Sequence, residues 1–224
     1  MSQQIKLYSY YRSSCSYRVR IALYLKNIPF EYVPINLLKQ GGEQKSKQYK
    51  KWNPEGQVPC LIHGNKVITQ SMAILQYLED IYPLPVLFSH HPVKKATIIS
   101  ICEIINSGIQ PLQNLKVLQY LKANGMLSGS NQNRWPGFWI DKGLLSLEKK
   151  VAKNKESLFA VGNHLTAAEL FIIPQLYNAR RFGVNLKDFP RLLAIEELCK
   201  RLPAFKKSHP DEQPDSPLNS GRQQ

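Results

Sequence analysis

Ser13, Ser14 and Cys15 place two hydroxyls and a thiol in one three-residue run. The run sits between Ile5-Lys6-Leu7-Tyr8-Ser9-Tyr10, whose apolar–polar alternation predicts a strand, and Tyr17-Arg18-Val19-Arg20-Ile21-Ala22-Leu23, whose apolar spacing predicts a helix. The three residues therefore fall at a helix N-terminus. Unpaired backbone N–H groups and the positive end of the helix dipole favour an anion there. The anion these groups suit is a thiolate, either of Cys15 itself or of a bound cofactor. A thiol with a pKa near ~8.5 is scarcely ionised at neutral pH, so a hydroxyl donor beside the dipole raises its reactive fraction. The plain alternative is that three small residues only cap the helix.

Two other sites could bind a ligand. Val58-Pro59 opens a pair of short strands, Val58 to His63 and Lys66 to Thr69, around Gly64-Asn65, the pattern of a hairpin. Val58-Pro59 either offers backbone for strand addition or simply starts an edge strand. Gln70-Ser71 begins a helix running from about Ser71 to Ile81. Ser71 there is a natural N-cap, and a helix start also receives a carboxylate.

The elements that must position these residues follow in the order β-α-β-α-β-β-α over the first 80 or so residues, with the second strand at Phe30 to Asn36 and a loop with an irregular helix over residues 37–53. That order implies a small mixed sheet with helices on its faces. Tyr82-Pro83-Leu84-Pro85 interrupts the pattern, so a domain boundary is expected near residue 86, with a linker to Pro92. Only helical patterns follow, over about 93–122, 136–153, 167–181 and 191–202, with a Gly/Ser/Asn-rich loop at Ala123 to Asn133. Thr166-Ala167-Ala168-Glu169 reads as a capping box, a structural signal without chemistry. The stretch from Ser208 to Gln224, rich in Pro, Asp, Ser and Gln, is expected to be an extended or partly disordered tail.

Composition excludes several classes of function. The 224 residues are 43% apolar, enough for a core without disulfides. The four cysteines, Cys15, Cys60, Cys102 and Cys199, are scattered and show no metal-ligand spacing, so free thiols in a reducing, cytoplasmic compartment and no metal are expected. The first residues lack the apolar core of a signal peptide, and no run is long enough to span a membrane. The net charge of +14 is spread along the chain, densest at Lys45 to Lys51, with no nucleic-acid motif beside it. It suits a soluble surface or attraction of small polyanions better than nucleic acid.

The chain resembles the zeta class of glutathione transferases from about Lys6 to Pro217. The matching stretches are Ser13-Ser14-Cys15-Ser16-Tyr17-Arg18-Val19-Arg20 (with Tyr17 where Trp is usual), Gln57-Val58-Pro59, Gln70-Ser71, Gly108-Ile109-Gln110-Pro111-Leu112-Gln113-Asn114, Asn178-Ala179-Arg180-Arg181-Phe182, and Ser208-His209-Pro210 with Gln213-Pro214-Asp215. The resemblance implies an α/β thioredoxin-like domain over residues 1–85, an all-α domain over residues 92–224 with an extended tail, and a homodimer. It implies glutathione as cofactor. Ser13, Ser14 and Cys15 would hold its thiolate, with Ser13 the main donor, and the edge of Val58 before a cis Pro59 would hold its cysteinyl backbone. Gln70 and Ser71 would hold its γ-glutamyl end and Gln44 its glycyl end, while Gln110 and Asn114 would reach it from the helical domain. Arg181 would receive a substrate carboxylate, and Arg180, where relatives carry an acid, would make its surroundings more positive. Of Arg18 and Arg20, at most one could face the substrate, because residues two apart do not share a helix face. The implied activity is cis–trans isomerisation of maleylacetoacetate in tyrosine and phenylalanine breakdown, by thiolate addition, bond rotation and elimination. Glutathione-dependent thiol transfer by Cys15, isomerisation of maleylpyruvate and a non-catalytic interaction scaffold are the alternatives. Cys60, beside the cofactor edge, is either a buried small residue or a site of oxidative inactivation.

Overall fold

In the computed structural model, which describes residues 4–153 and 156–219, strand β1 (Ile5–Ser9) alternates buried and half-exposed side chains as its pattern predicts. It is followed by α1 (Ser14–Leu25), β2 (Glu31–Pro34), two 3-10 turns, the single turn α2 (Lys47–Lys50), β3 (Cys60–His63), β4 (Lys66–Thr69) and α3 (Ser71–Ile81). The sheet order is β2-β1-β3-β4. Only β1 and β2 pair in parallel among the described strands, because α1 carries the chain back across the sheet between them. Leu7, Val19, Leu23, Leu61, Ile74, Leu75 and Leu78 are fully buried and form the core of this unit. Lys26, at the end of α1, buries its ammonium and donates to Glu79 Oε2 at 2.7 Å, Tyr82 O at 2.7 Å and Pro85 O at 2.9 Å. Its three protons meet three acceptors, so the end of α1 is tied to the end of α3 and to the proline-rich break.

The chain divides into two compact units, one holding the residues up to Val86 together with those from Lys200 onward, the other spanning Leu87–Cys199. The second contains α4 (Pro92–Glu103), α5 (Leu115–Ala123), α6 (Arg134–Val151), α7 (Ala167–Arg181) and α8 (Pro190–Lys200). The long helix expected over 93–122 is broken. After α4 comes a π-helical turn, Ile104–Ile109, then a 3-10 turn, Gln110–Gln113. Pro111 lacks an N–H for continued α-helix, and Asn114 restarts the helix as the N-cap of α5, accepting from Lys116 N–H at 3.1 Å. Gly143 on α6 lets this break pack, since a Cβ there would lie 2.3 Å from Ile109 Cγ1. The capping box forms: Thr166 N–H donates to Glu169 Oε2 at 2.7 Å, while Thr166 Oγ1 accepts from Ala168 N–H at 3.2 Å. Glu169 Oε1 also accepts from Ala160 N–H at 2.8 Å, a tie that local sequence does not encode.

The C-terminal segment corrects two expectations. It belongs to the sheet-containing unit, not to the helical one, and as far as residue 219 it is neither extended nor disordered. Helix α9 (Pro203–Ser208) packs on α1, and a 3-10 turn, Pro210–Glu212, follows. Polar side chains that argued for disorder bond to local backbone instead: Gln213 Nε2 donates to Lys207 O and His209 O, and Asn219 Nδ2 to Asp211 O. Residues 220–224 of the expected tail, and residues 1–3 of the segment read for a signal peptide, lie outside the described residues. No helix among the described residues is long and apolar enough to cross a membrane.

Replacing Gly143 with Ala drives a methyl into the buried Ile109 side chain. A loss of about 1–3 kcal/mol is expected in urea unfolding, and an unchanged midpoint would show that Ile109 can yield.

Candidate active site

Ser13 is the N-cap of α1, with φ −70° and ψ 117°. Its Oγ accepts from Ser16 N–H at 3.2 Å, and its own N–H donates to Tyr10 O at 3.0 Å. One lone pair of the hydroxyl is thereby engaged from inside the helix, and its proton is left to be donated. The N–H groups of Ser14 and Cys15 have no partner among the described residues, as the first turn of a helix requires. Ser14 is buried and Cys15 partly exposed. Two hydroxyls, a thiol and two N–H groups thus belong to the start of a 12-residue helix, at its positive end.

Arg18 and Arg20 are both fully buried, so neither faces a substrate. Periodicity could not reveal this, because buried arginines look like exposed ones in a sequence. Arg18 Nη1 donates to Ser71 Oγ at 3.1 Å. Arg20 donates to Ser9 Oγ, Tyr10 O, Tyr11 O and Ser208 O at 2.9 to 3.3 Å. Burial lowers the pKa of Arg20 from its ordinary value, and the neighbouring tyrosines and Asp215 oppose that shift.

The Val58–Pro59 peptide is cis. Neither the N–H nor the C=O of Val58 is paired among the described residues. The preceding carbonyl, Gln57 O, accepts from Tyr49 Oη at 2.6 Å and Asn53 Nδ2 at 2.8 Å. Tyr49 also packs with Tyr10, Val58 and Cys60 in one buried cluster, which gives the single turn α2 its purpose. Cys60 is fully buried in this cluster and fills space there, and its burial pushes the thiol up to about 11. Gln44 is buried too; among the described residues its Oε1 has no partner and its Nε2 makes only a 3.5 Å bond to Leu37 O. Gly42, at φ +110°, makes room for that amide, since a Cβ there would lie 2.5 Å from it.

Gln70, not Ser71, is the N-cap of α3, and its side chain caps nothing. Its backbone stands at φ 68° and ψ 119°, a conformation that costs a residue with a Cβ about 1–3 kcal/mol. Such strain gathers at ligand sites. Gln70 Nε2 donates to Glu55 Oε2 at 2.6 Å, and the buried Ser71 Oγ accepts from Arg18 Nη1.

In the helical unit, Gln110 opens the 3-10 turn and is half-buried. The turn is held from two sides. Gln113 and Gln175, both buried, exchange amide bonds at 2.7 and 3.3 Å, and Trp135 Nε1 donates to Leu112 O at 2.8 Å. Sequence reading noticed neither; a buried glutamine pair carries no local signature. Asn114 Oδ1 caps α5, while its Nδ2 takes no part in the cap. Arg181, at the exposed end of α7, lies over the Phe182 ring at 4.3 Å. The extra positive charge expected of Arg180 is largely offset, because Glu196 grips its guanidinium with both carboxylate oxygens.

Two outcomes follow. Gln70→Gly relieves the strained backbone at some cost in unfolded-state entropy, and a net gain of about 1 kcal/mol in thermal or urea unfolding is expected, with weaker glutathione binding by calorimetry. Iodoacetamide on the native chain should label Cys15 alone, read by peptide mass spectrometry, because burial shields the other three thiols.

Known proteins are similar to this chain in sequence and fold. The family model of the glutathione S-transferase N-terminal domain matches residues 3–80. A maleylacetoacetate isomerase of Rattus norvegicus is 44% identical, with 94% of each chain covered. A holo structure described as a maleyl pyruvate isomerase, a bacterial glutathione S-transferase of the zeta class, superposes with a TM-score of 0.91 at 35% identity, covering 94% of this chain and 99% of that one. A maleylacetoacetate isomerase from Anaeromyxobacter dehalogenans with glutathione bound in its active site has a TM-score of 0.86 at 39% identity, covering 96% and 99%. Identity at this level over nearly the full length places the chain in the zeta class of the glutathione transferases.

Proposed function

We propose that this chain is a glutathione-dependent isomerase that converts maleylacetoacetate to its trans isomer, in the breakdown of tyrosine and phenylalanine. The observation that carries the reading is the start of α1. There Ser13 Oγ is engaged from behind by Ser16 N–H, and the adjacent Ser14 and Cys15 N–H groups are unspent. The residues present also fit the rest of a tripeptide. Among the described residues, Val58 has unpaired backbone groups for its cysteinyl unit, Gln44 a buried amide oxygen left to accept from the N–H of its glycyl end, and Gln70 and Ser71 a helix start for its γ-glutamyl carboxylate.

The chemistry glutathione supplies when bound is reversible addition of a thiolate to the conjugated double bond, with rotation before elimination. Ser13 would donate a hydrogen bond to the thiolate and so lower the pKa of that thiol, helped by Ser14, Cys15 and the helix dipole. Arg18 occupies one lone pair of the Ser71 hydroxyl and leaves its proton to be donated. In the helical unit, Gln110 and Asn114 are the proposed further contacts to the cofactor. Arg181 is the proposed receiver of a substrate carboxylate, its plane supported by Phe182. The homologous enzymes' names support the substrate class, and we take the chain to work as a cytoplasmic homodimer on a small dicarboxylate, with no nucleic acid or membrane partner.

Absorbance-monitored turnover of maleylacetoacetate should require glutathione, and equal rates without it would overturn the proposal. Ser13→Ala should lower kcat by about a hundredfold, the loss of one preorganised donor at a developing charge. Cys15→Ala separates this reading from thiol transfer: isomerase turnover should persist, whereas a monothiol transferase would lose all disulfide reduction.

A further inference from the structure

We propose that Asp215, in the C-terminal segment, is a positioning residue for the Ser13–Cys15 turn. The inference rests on the reading of that turn as the thiolate-holding site and adds to it a residue 200 positions away in the chain.

Three residues, Tyr10 to Arg12, link the end of β1 to Ser13, and their course decides where the Ser13 hydroxyl and the Ser14 and Cys15 N–H groups point. Asp215 holds the middle of that link. Its Oδ2 accepts from Tyr11 N–H at 2.9 Å, and its Oδ1 accepts from Tyr32 Oη at 2.6 Å. Tyr32 stands on β2 opposite Leu7 of β1, so the carboxylate ties the link to the sheet. On the other side Arg20 Nη2 donates to Tyr11 O at 2.9 Å, and Tyr10 O accepts from both Arg20 Nη1 and Ser13 N–H. Both faces of the Tyr11 peptide link are therefore fixed, one by Asp215 and one by Arg20.

The segment carrying Asp215 is firm enough for this task. Arg20 Nε donates to Ser208 O at 3.1 Å, Ser208 Oγ to Ala204 O at 2.6 Å, and Gln213 Nε2 to two carbonyls just upstream. Ser208, Gln213 and Ser216 are buried. A shift of a fraction of an ångström in donors aimed at a charge erodes their effect, so an anchor for the link acts on the chemistry without touching it.

Position and charge make opposite demands, which gives the test its sign. Asp215 is itself negative. By charge alone its removal favours a nearby thiolate and lowers the pH at which bound glutathione ionises. Loss of positioning raises that pH. The experiment titrates the ultraviolet absorbance of the thiolate on the full chain with glutathione bound, alongside kcat and KM for glutathione and a thermal melt. Asp215→Ala should raise the ionisation pH and lower kcat at neutral pH about tenfold, with KM changed less than about threefold. Asp215→Asn removes the charge but keeps an acceptor for Tyr11 N–H and a partner for Tyr32 Oη, so it should rescue most of kcat without raising the ionisation pH. Tyr32→Phe, which removes one of the two bonds, should fall between, and it carries the test if Asp215→Ala does not fold. An ionisation pH that falls or stays put in Asp215→Ala, or in Tyr32→Phe where that variant decides, overturns the proposal, even if the melt drops. If the unmodified chain shows no bound thiolate at all, it is the functional reading that fails, and the proposal falls with it.

Discussion

The sheet-containing unit depends on one buried guanidinium. Arg20 is removed from water and still satisfies four acceptors, three at the exit of β1 and one at the end of α9. A buried charge is tolerable only when its hydrogen-bonding capacity is met nearly in full. The exit of β1 and the start of the C-terminal segment must therefore stay where they are. The turn that begins α1 inherits its position from that requirement. Lys26 does the same at the far end of α1, where its ammonium has a carboxylate and two carbonyls. The helix is pinned at both ends by cations it contributes itself.

One device recurs in the candidate site. Ser13 and Ser71 each receive an internal donor on the hydroxyl oxygen, Ser16 N–H for one and Arg18 Nη1 for the other. An oxygen that is already accepting still has its proton to donate, which is what an anionic ligand needs. Around them, backbone groups are left unspent at Val58, and strain is held at Gln70. Neither feature helps folding. Both make sense as preparation for a ligand, because donors fixed before binding need no reorganisation afterwards.

The helical unit applies the same logic with neutral groups. The Gln113–Gln175 pair, the Trp135 indole and the close approach of Gly143 to Ile109 hold the short turn that carries Gln110 and Asn114. Buried amides satisfied by each other cost little and fix orientation. The capping box at Thr166 and Glu169 starts α7, at whose other end Arg181 stands. Burial raises the pKa of Glu169, while the Ala160 and Thr166 donors oppose that shift, so its carboxylate is held by bonds that local sequence only half announces.

The sequence by itself determined the element order of the sheet, the boundaries of α3, the capping box and the run at Ser13 to Cys15, because each is written in residues that are neighbours along the chain. Alternation, helical spacing and capping are local codes. Tertiary structure alone decided the rest. Arg18 and Arg20 look like surface cations until their acceptors come from Ser71 and Ser208. The tail reads as disordered until Asp215 meets Tyr11 and Tyr32, and the break at Pro111 in the helix expected over 93–122 finds its packing only where Gly143 admits Ile109. In each case the deciding partner lies far off in the chain, and satisfaction of a buried polar group or packing of a side chain depends on distance in space, which residue order does not record.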